Sequence, residues 1–212
     1  MPGKRQRTSY SGASASSYAP SVADIRRIAS SVVNKKLETK HKTTTQASFL
    51  NIGAVSGTLI EVSRCAQGAP DSYRVGNRID VTKLYVDKSI RLQPGNSQGF
   101  VRVLIVQSRT GVLTTSDMPS LHSPVDLDKM FVLYDNSLMM HANVWNATLG
   151  DFAAGSGVHI RKKFPGKRLF NRQLHYDDAG VACVNNPIYL YMFADTDGPH
   201  QAGFETMYYK DA

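Results

Sequence analysis

From about residue 56 the chain is written in short apolar, β-branched and aromatic runs, each cut off by a cluster of Gly, Pro, Asn or Asp such as QGAPDS, QPGNSQG, SDMPSLHSP, GDFAAGSG and DTDGPHQAG. Runs of that length between turn residues specify strands, and their regular spacing specifies an all-β sandwich or barrel. Eight strands are expected, near residues 56–64, 78–92, 99–108, 129–135, 138–147, 157–174, 186–194 and 203–210. No strand alternates with a helical pattern, so a parallel nucleotide-binding sheet is excluded. Two cysteines, Cys65 and Cys183, are too few for a disulfide framework or a four-ligand zinc site. The fold must be held by its core, and 42% apolar residues supply one.

Two strands carry finer information. In RIDVTKLYVDKSIRL the apolar positions are odd at Ile79 and Val81, then even at Leu84, Val86, Ile90 and Leu92. A bulge near Thr82 or Lys83 accounts for the change of parity. Phe100 to Val106 is apolar on both faces of the pleat except at Arg102. Such a strand is covered on both sides or lies in a subunit interface.

The first 42 residues are different in kind. They hold nine basic side chains, Lys4, Arg5, Arg7, Arg26, Arg27, Lys35, Lys36, Lys40 and Lys42, against Asp24 and Glu38. That segment therefore supplies most of the chain's net charge of +8, and the body is nearly neutral. Residues 1–20, rich in Ser, Ala and Gly, have little to bury and are expected to be a disordered basic tether. Residues 21–42 are expected to form a basic amphipathic helix, from about Val22 to Leu37, opened by Ser21 and Asp24 in a variant capping box. Its apolar stripe is Val22, Ile25, Ile28, Ala29 and Val32, flanked by Arg26, Arg27 and Lys35. The body, residues 43–212, follows. No run of the chain matches a membrane span or the apolar core of a secretion signal, so neither insertion nor export is expected.

A search for chemistry finds little. The six histidines, His41, His122, His141, His159, His175 and His200, show no metal-binding spacing. There is no GxSxG elbow, no GxxxxGKS/T phosphate loop and no GxGxxG turn. His175 with Cys183 reads as coincidence, and the acidic pairs Asp126/Asp128, Asp177/Asp178 and Asp195/Asp197 fit solvated turns as well as calcium ligands. No catalytic residue, cofactor or metal is expected. The second basic feature is HIRKKFPGKRLFNRQ, which supplies Arg161, Lys162, Lys163, Lys167, Arg168 and Arg172 with Phe164 and Phe170 between them. A cationic surface with aromatic rings can take phosphates and stack exposed bases; a basic strand edge that blocks pairing would look the same. With a near-neutral body, six clustered cations require acidic surface elsewhere and hence a two-faced subunit.

A basic arm, a short amphipathic helix and an eight-stranded body resemble the single jelly-roll capsid proteins of small viruses. The segment GTLIEVSRCAQGAPDSYRVGNRIDVTKLYVDKSI looks like that family's strand, Gly-containing turn and Arg-x-Gly-x-x-Ile opening of a long strand, here Arg74, Gly76 and Ile79. A strand of VRVLIVQSR type and KMFVLYDNS after a long loop follow in the same order. The order is similar to the coat proteins of circular, Rep-encoding single-stranded DNA viruses and of the tobacco necrosis satellite viruses.

The resemblance implies an antiparallel jelly-roll sandwich that self-assembles into the smallest icosahedral shell. Its cationic arm would meet a single-stranded genome, DNA ahead of RNA, through phosphate neutralisation. It also implies a virion protein with a nuclear stage, for which Lys4, Arg5 and Arg7 would serve as an import signal. The alternative is a cellular single-stranded nucleic-acid-binding β protein that forms no shell and uses Phe164, Phe170 and the basic cluster as its platform.

Overall fold

A computed structural model describes residues 21–36, 39–54, 57–68, 72–93, 96–141, 145–146, 151–152, 157–178, 180–196 and 199–212. The expected tether, with Lys4, Arg5 and Arg7, lies outside them. The chain divides into two compact units, residues 1–37 and 38–212. The first contains helix α1, Val22–Lys36. Its start is the reciprocal cap expected from the sequence: the Asp24 amide donates to Ser21 Oγ at 3.1 Å, and the Ser21 amide donates to Asp24 Oδ2 at 3.3 Å. Asp24 thus does what Glu does in the usual box. Val22, Ile25 and Ile28 form an exposed apolar stripe beside exposed Arg26 and Arg27.

The second unit is an antiparallel β-structure. Its strands are β1 (Lys40–Asn51), β2 (Thr58–Glu61), β3 (Arg78–Leu92), β4 (Gln98–Ser108), β5 (Met130–His141), β6 (Trp145–Asn146), β7 (Asp151–Phe152), β8 (Val158–Pro165), β9 (Gln173–Tyr176), β10 (Cys183–Asn185), β11 (Ile188–Ala194) and β12 (Pro199–Asp211). One sheet runs β1-β12-β3, and the far edge of β3 is shared by β8 along residues 83–90 and by β9 along 78–80, with β10 beyond β9. The second sheet runs β2-β11-β4-β5, and β6 pairs with β7. Every ladder joining these strands is antiparallel.

The parity change in β3 is a bulge. Tyr208 faces Lys83 and Tyr209 faces Val81, so Thr82 is the extra residue, and its hydroxyl donates to the Tyr208 carbonyl at 3.1 Å. The bulge lets Ile79 and Val81 join Leu84, Val86, Ile90 and Leu92 in the core between the sheets. Strand β4 is covered on both faces. Val101, Val103 and Ile105 enter that core, while Leu104 and Val106 enter a second cluster with Leu113, Met118, Met130, Tyr189 and Tyr191. Full burial of each such side chain contributes about 1.5–3 kcal/mol.

Besides the added short strands β6, β7 and β10, the strand map differs from the expected one in three places. The helical segment was expected to reach residue 42, yet β1 occupies Lys40–Asn51, because the β-branched run Thr43–Thr45 pairs with Phe204–Thr206 of β12. The two strands expected at 129–135 and 138–147 are one, β5, which carries Asp135-Asn136-Ser137 through its middle without a break. It can do so because those residues sit on an outer strand that pairs only with β4. The strand expected at 157–174 is broken by a 3-10 turn at Gly166–Arg168, where the backbone passes so close to β3 that a Cβ on Gly166 would lie 2.4 Å from the Val81 carbonyl oxygen. Twelve strand segments among the described residues therefore replace the eight expected.

Candidate nucleic-acid interface

Side chains alternate across a strand, so the parity that buries Leu84, Val86 and Ile90 turns Lys83, Tyr85, Asp87, Ser89 and Arg91 to the opposite face. Register then builds cross-strand rungs on that outer face. They run Thr43–Thr206–Tyr85–Lys163, Thr45–Phe204–Asp87–Arg161, His41–Tyr208–Lys83, Ala202–Ser89–His159 and His200–Arg91.

These rungs bring Lys83, Arg91, Arg161 and Lys163 onto one surface, with Asp87 as their acid. Aromatic rings lie among them. Tyr85 and Phe204 are 5.8 Å apart, and His41 lies 5.9 Å from Tyr208. Lys83 Nζ is 3.6 Å from the centre of the Tyr208 ring, and the Arg91 guanidinium is 3.5 Å from that of Phe49. Cations held over ring faces retain free hydrogen-bond donors for phosphate, and ring faces can accept unpaired bases.

Asp87 organises the centre of the surface. Its carboxylate accepts from Tyr85 Oη at 3.0 Å, from Arg161 Nε at 2.9 Å and from His159 Nε2. Burial pushes this carboxyl upward, but the hydrogen bonds from His159, Tyr85 and Arg161 outweigh it and hold the group below the usual carboxylate range. Asp87 is consequently ionised at neutral pH and fixes Arg161 in the face. At the rim His200 is held below the usual histidine range by burial and then by the charge of Arg91, so it adds no positive charge at neutral pH.

The residues expected to bind nucleic acid divide. Arg161 and Lys163 stand on this face, and Lys167 and Arg168 are exposed on the turn that follows. Arg172 pairs with Asp80 at 3.2 Å. Lys162 points to the other side of β8, with its Nζ 4.5 Å from the Tyr134 ring centre, and leaves the cluster. Two lysines assigned to the helix belong to β1. Lys40 makes an ion pair with Asp211 at 2.9 Å and donates to the Tyr73 carbonyl, and Lys42 lies 6.0 Å from the Tyr73 ring. Both brace the body, because β1 alternates and these positions share the inner parity. Arg26 and Arg27 are exposed on α1, where Arg27 pairs with Asp24 at 3.4 Å. The side chains of Lys35 and Lys36 lie outside the described residues.

The expected aromatic platform is corrected as well. Phe164 is 5% exposed and belongs to the core, since it shares the parity of Ile160. Phe170 is 48% exposed and packs beside Phe131 and Arg109 instead. The rings that do line the basic face, Tyr85, Phe204 and Tyr208 with His41 and Phe49 beside them, come from β3, β12 and β1. No local motif in the sequence announces them; only the register across four strands does.

Other candidate groups have structural partners. Burial pushes the Cys183 thiol up to about 12, and its Sγ donates to the Asn185 carbonyl. Asp126 accepts from the amides of Asp128 and Lys129, Asp195 from that of Phe100, and Asp178 from the Asn77 side chain. Among the described residues no three His, Cys, Asp or Glu side chains converge as a metal site.

No family model matches the chain, and no curated protein matches it. Among solved structures, dimeric latent PorU from Porphyromonas gingivalis is similar at 11% identity and a TM-score of 0.42, over 82% of this chain. The similarity spans 13% of that protein's length.

Proposed function

We propose that the chain is a structural, non-enzymatic capsid protein. Its β-unit is a jelly roll that tiles a closed shell, and its cationic surfaces hold single-stranded genome, DNA ahead of RNA, inside the virion. The observation that carries this reading is strand order. Numbering the eight longer-range strands β1, β2, β3, β4, β5, β8, β11 and β12 from one to eight, the sheets run 1-8-3-6 and 2-7-4-5. Such nesting of first against last and second against seventh is the wrapping of a jelly roll, an architecture shared by viral capsids and lectins.

The charge distribution favours a capsid. A cationic first segment and one cationic sheet face can meet a polyanion, while the opposite sheet is covered by the loop of residues 109–129, whose three acids, Asp117, Asp126 and Asp128, outnumber its two bases, Arg109 and Lys129. A subunit polarised in that way can repeat one interface and keep its basic side toward the genome. Lys4, Arg5 and Arg7 would add a nuclear-import signal to the arm.

Electron microscopy of the purified full chain tests the reading. Uniform closed particles are the expected result. A stable monomer that binds an oligonucleotide would instead identify a cellular single-strand-binding protein, for which the aromatic rings of the basic face also speak.

A further inference from the structure

The least expected charges in the molecule lie inside the sandwich. Lys88 shares the inward parity of Leu84, Val86 and Ile90, and Glu205 shares that of Met207 and Tyr209. Both side chains are 1% exposed, with Lys88 Nζ 2.7 Å from Glu205 Oε1. Yet neither atom finds a well-aligned hydrogen-bond partner. Gln201, also 1% exposed, has the same parity on β12, and its Oε1 is buried without a donor.

Register explains how the three come to share one face of the ladder. Lys88 pairs directly with Gly203, so Glu205 and Gln201 are its two diagonal neighbours on one face of the ladder. Gly203, at φ +132°, has no side chain to fill the space between them; a Cβ there would lie 2.2 Å from the Asp87 carbonyl oxygen. The arrangement is an amine, a carboxylate touching it and a primary amide, all withdrawn from water. As a mere ion pair it is costly, since desolvation of two charges offsets most of their attraction. As a set of reactants it is complete.

We propose that Lys88 and Gln201 join in an intramolecular isopeptide bond, with Glu205 as the acid–base group. The ammonium of Lys88 passes one proton to the Glu205 carboxylate, leaving a neutral amine and a neutral acid, the form a dry site tolerates. The amine nitrogen attacks Gln201 Cδ and forms the new Nζ–Cδ bond. Glu205 gives its proton to the amide nitrogen and takes one from the attacking nitrogen, the Cδ–Nε2 bond breaks, and ammonia leaves. The product is a secondary amide beside a protonated Glu205, with neither charge of the original pair remaining. No oxidant or co-reactant is required. The bond would lock β3 to β12, the two central strands of the larger sheet.

Intact mass spectrometry of the purified full chain reads the reaction directly. The expected mass is that of the sequence less one ammonia, with a branched peptide joining Lys88 to Gln201 after proteolysis. Glu205→Gln, which keeps the shape of the side chain but cannot move the proton, is expected to restore the full mass. A wild-type chain that is folded by circular dichroism and has the full sequence mass would overturn the proposal. Loss of water with Lys88 joined to Glu205 would overturn it equally.

Discussion

At Arg74 the guanidinium donates to the carbonyls of Cys65 at 3.2 Å, Asp177 at 2.9 Å and Gly180 at 2.7 Å, to that of Gly76, and to Asn77 Oδ1. It also lies 4.6 Å from the Tyr176 ring centre, and it is fully buried. One side chain thereby folds the β2–β3 connection on itself and ties it to the β9–β10 connection. The Arg74, Gly76 and Ile79 pattern is structural in each position: Arg74 clasps, Gly76 turns at φ +83°, and Ile79 is fully buried. Arg74→Met strands several buried carbonyls and is expected to cost about 3–5 kcal/mol in chemical denaturation, at about 1–3 kcal/mol for each group left unpaired. A second residue-scale effect concerns acid stability. Hydrogen bonds from Lys129 and then Thr114 hold the Asp117 carboxyl at about 2, below its ordinary 3.8. Its contribution is therefore complete above the ordinary value and disappears as pH falls through about 2. Asp117→Asn is expected to flatten that part of the stability–pH curve, measured by denaturation at successive pH values.

Among the elements, the break between β8 and β9 depends on Gly166. Gly166→Ala would drive a methyl group against the β3 backbone, and it is expected to destabilise the chain by about 1–3 kcal/mol, read from its thermal or urea transition. How far each element was legible in the sequence follows the same physics. The bulge at Thr82 could be read because a core face imposes parity on apolar residues, and β4 because burial on both faces leaves a continuous apolar run. Strand β1 could not. Its side chains are exposed or only half-buried, so no alternation marks it, and its strand form comes from pairing with residues far along the chain. The basic face was half legible: Arg161 and Lys163 lie in one local run, but Lys83, Arg91 and the rings of Tyr85, Phe204 and Tyr208 join them only through register. Phe164 was misassigned because interleaving in sequence places alternate residues on opposite faces.

On the scale of the whole molecule, binding by a cationic sheet face must be salt-dependent. Each cation that neutralises a phosphate of a single strand contributes about 0.7 to the slope of log affinity against log salt. Lys83→Ala with Lys163→Ala is expected to lower that slope by up to about 1.4 in oligonucleotide-binding titrations of the full chain. An unchanged slope would remove this face from the interface. A truncation meant to isolate the arm's contribution should stop at residue 36, before β1 begins at Lys40, and is expected to leave a folded body with less co-purified nucleic acid. The position of β12 has a consequence for synthesis. It lies between β1 and β3, joining Lys40 to Tyr209 and Ile79 to Asp211. Until those last residues have left the ribosome, two long strands have open edges and no mutual contact, so the larger sheet can close only after translation has passed residue 211. Folding dominated by such distant pairings is slow. A chain stopped before Pro199 would expose both edges to other nascent chains, and its expected fate is aggregation rather than a smaller folded body.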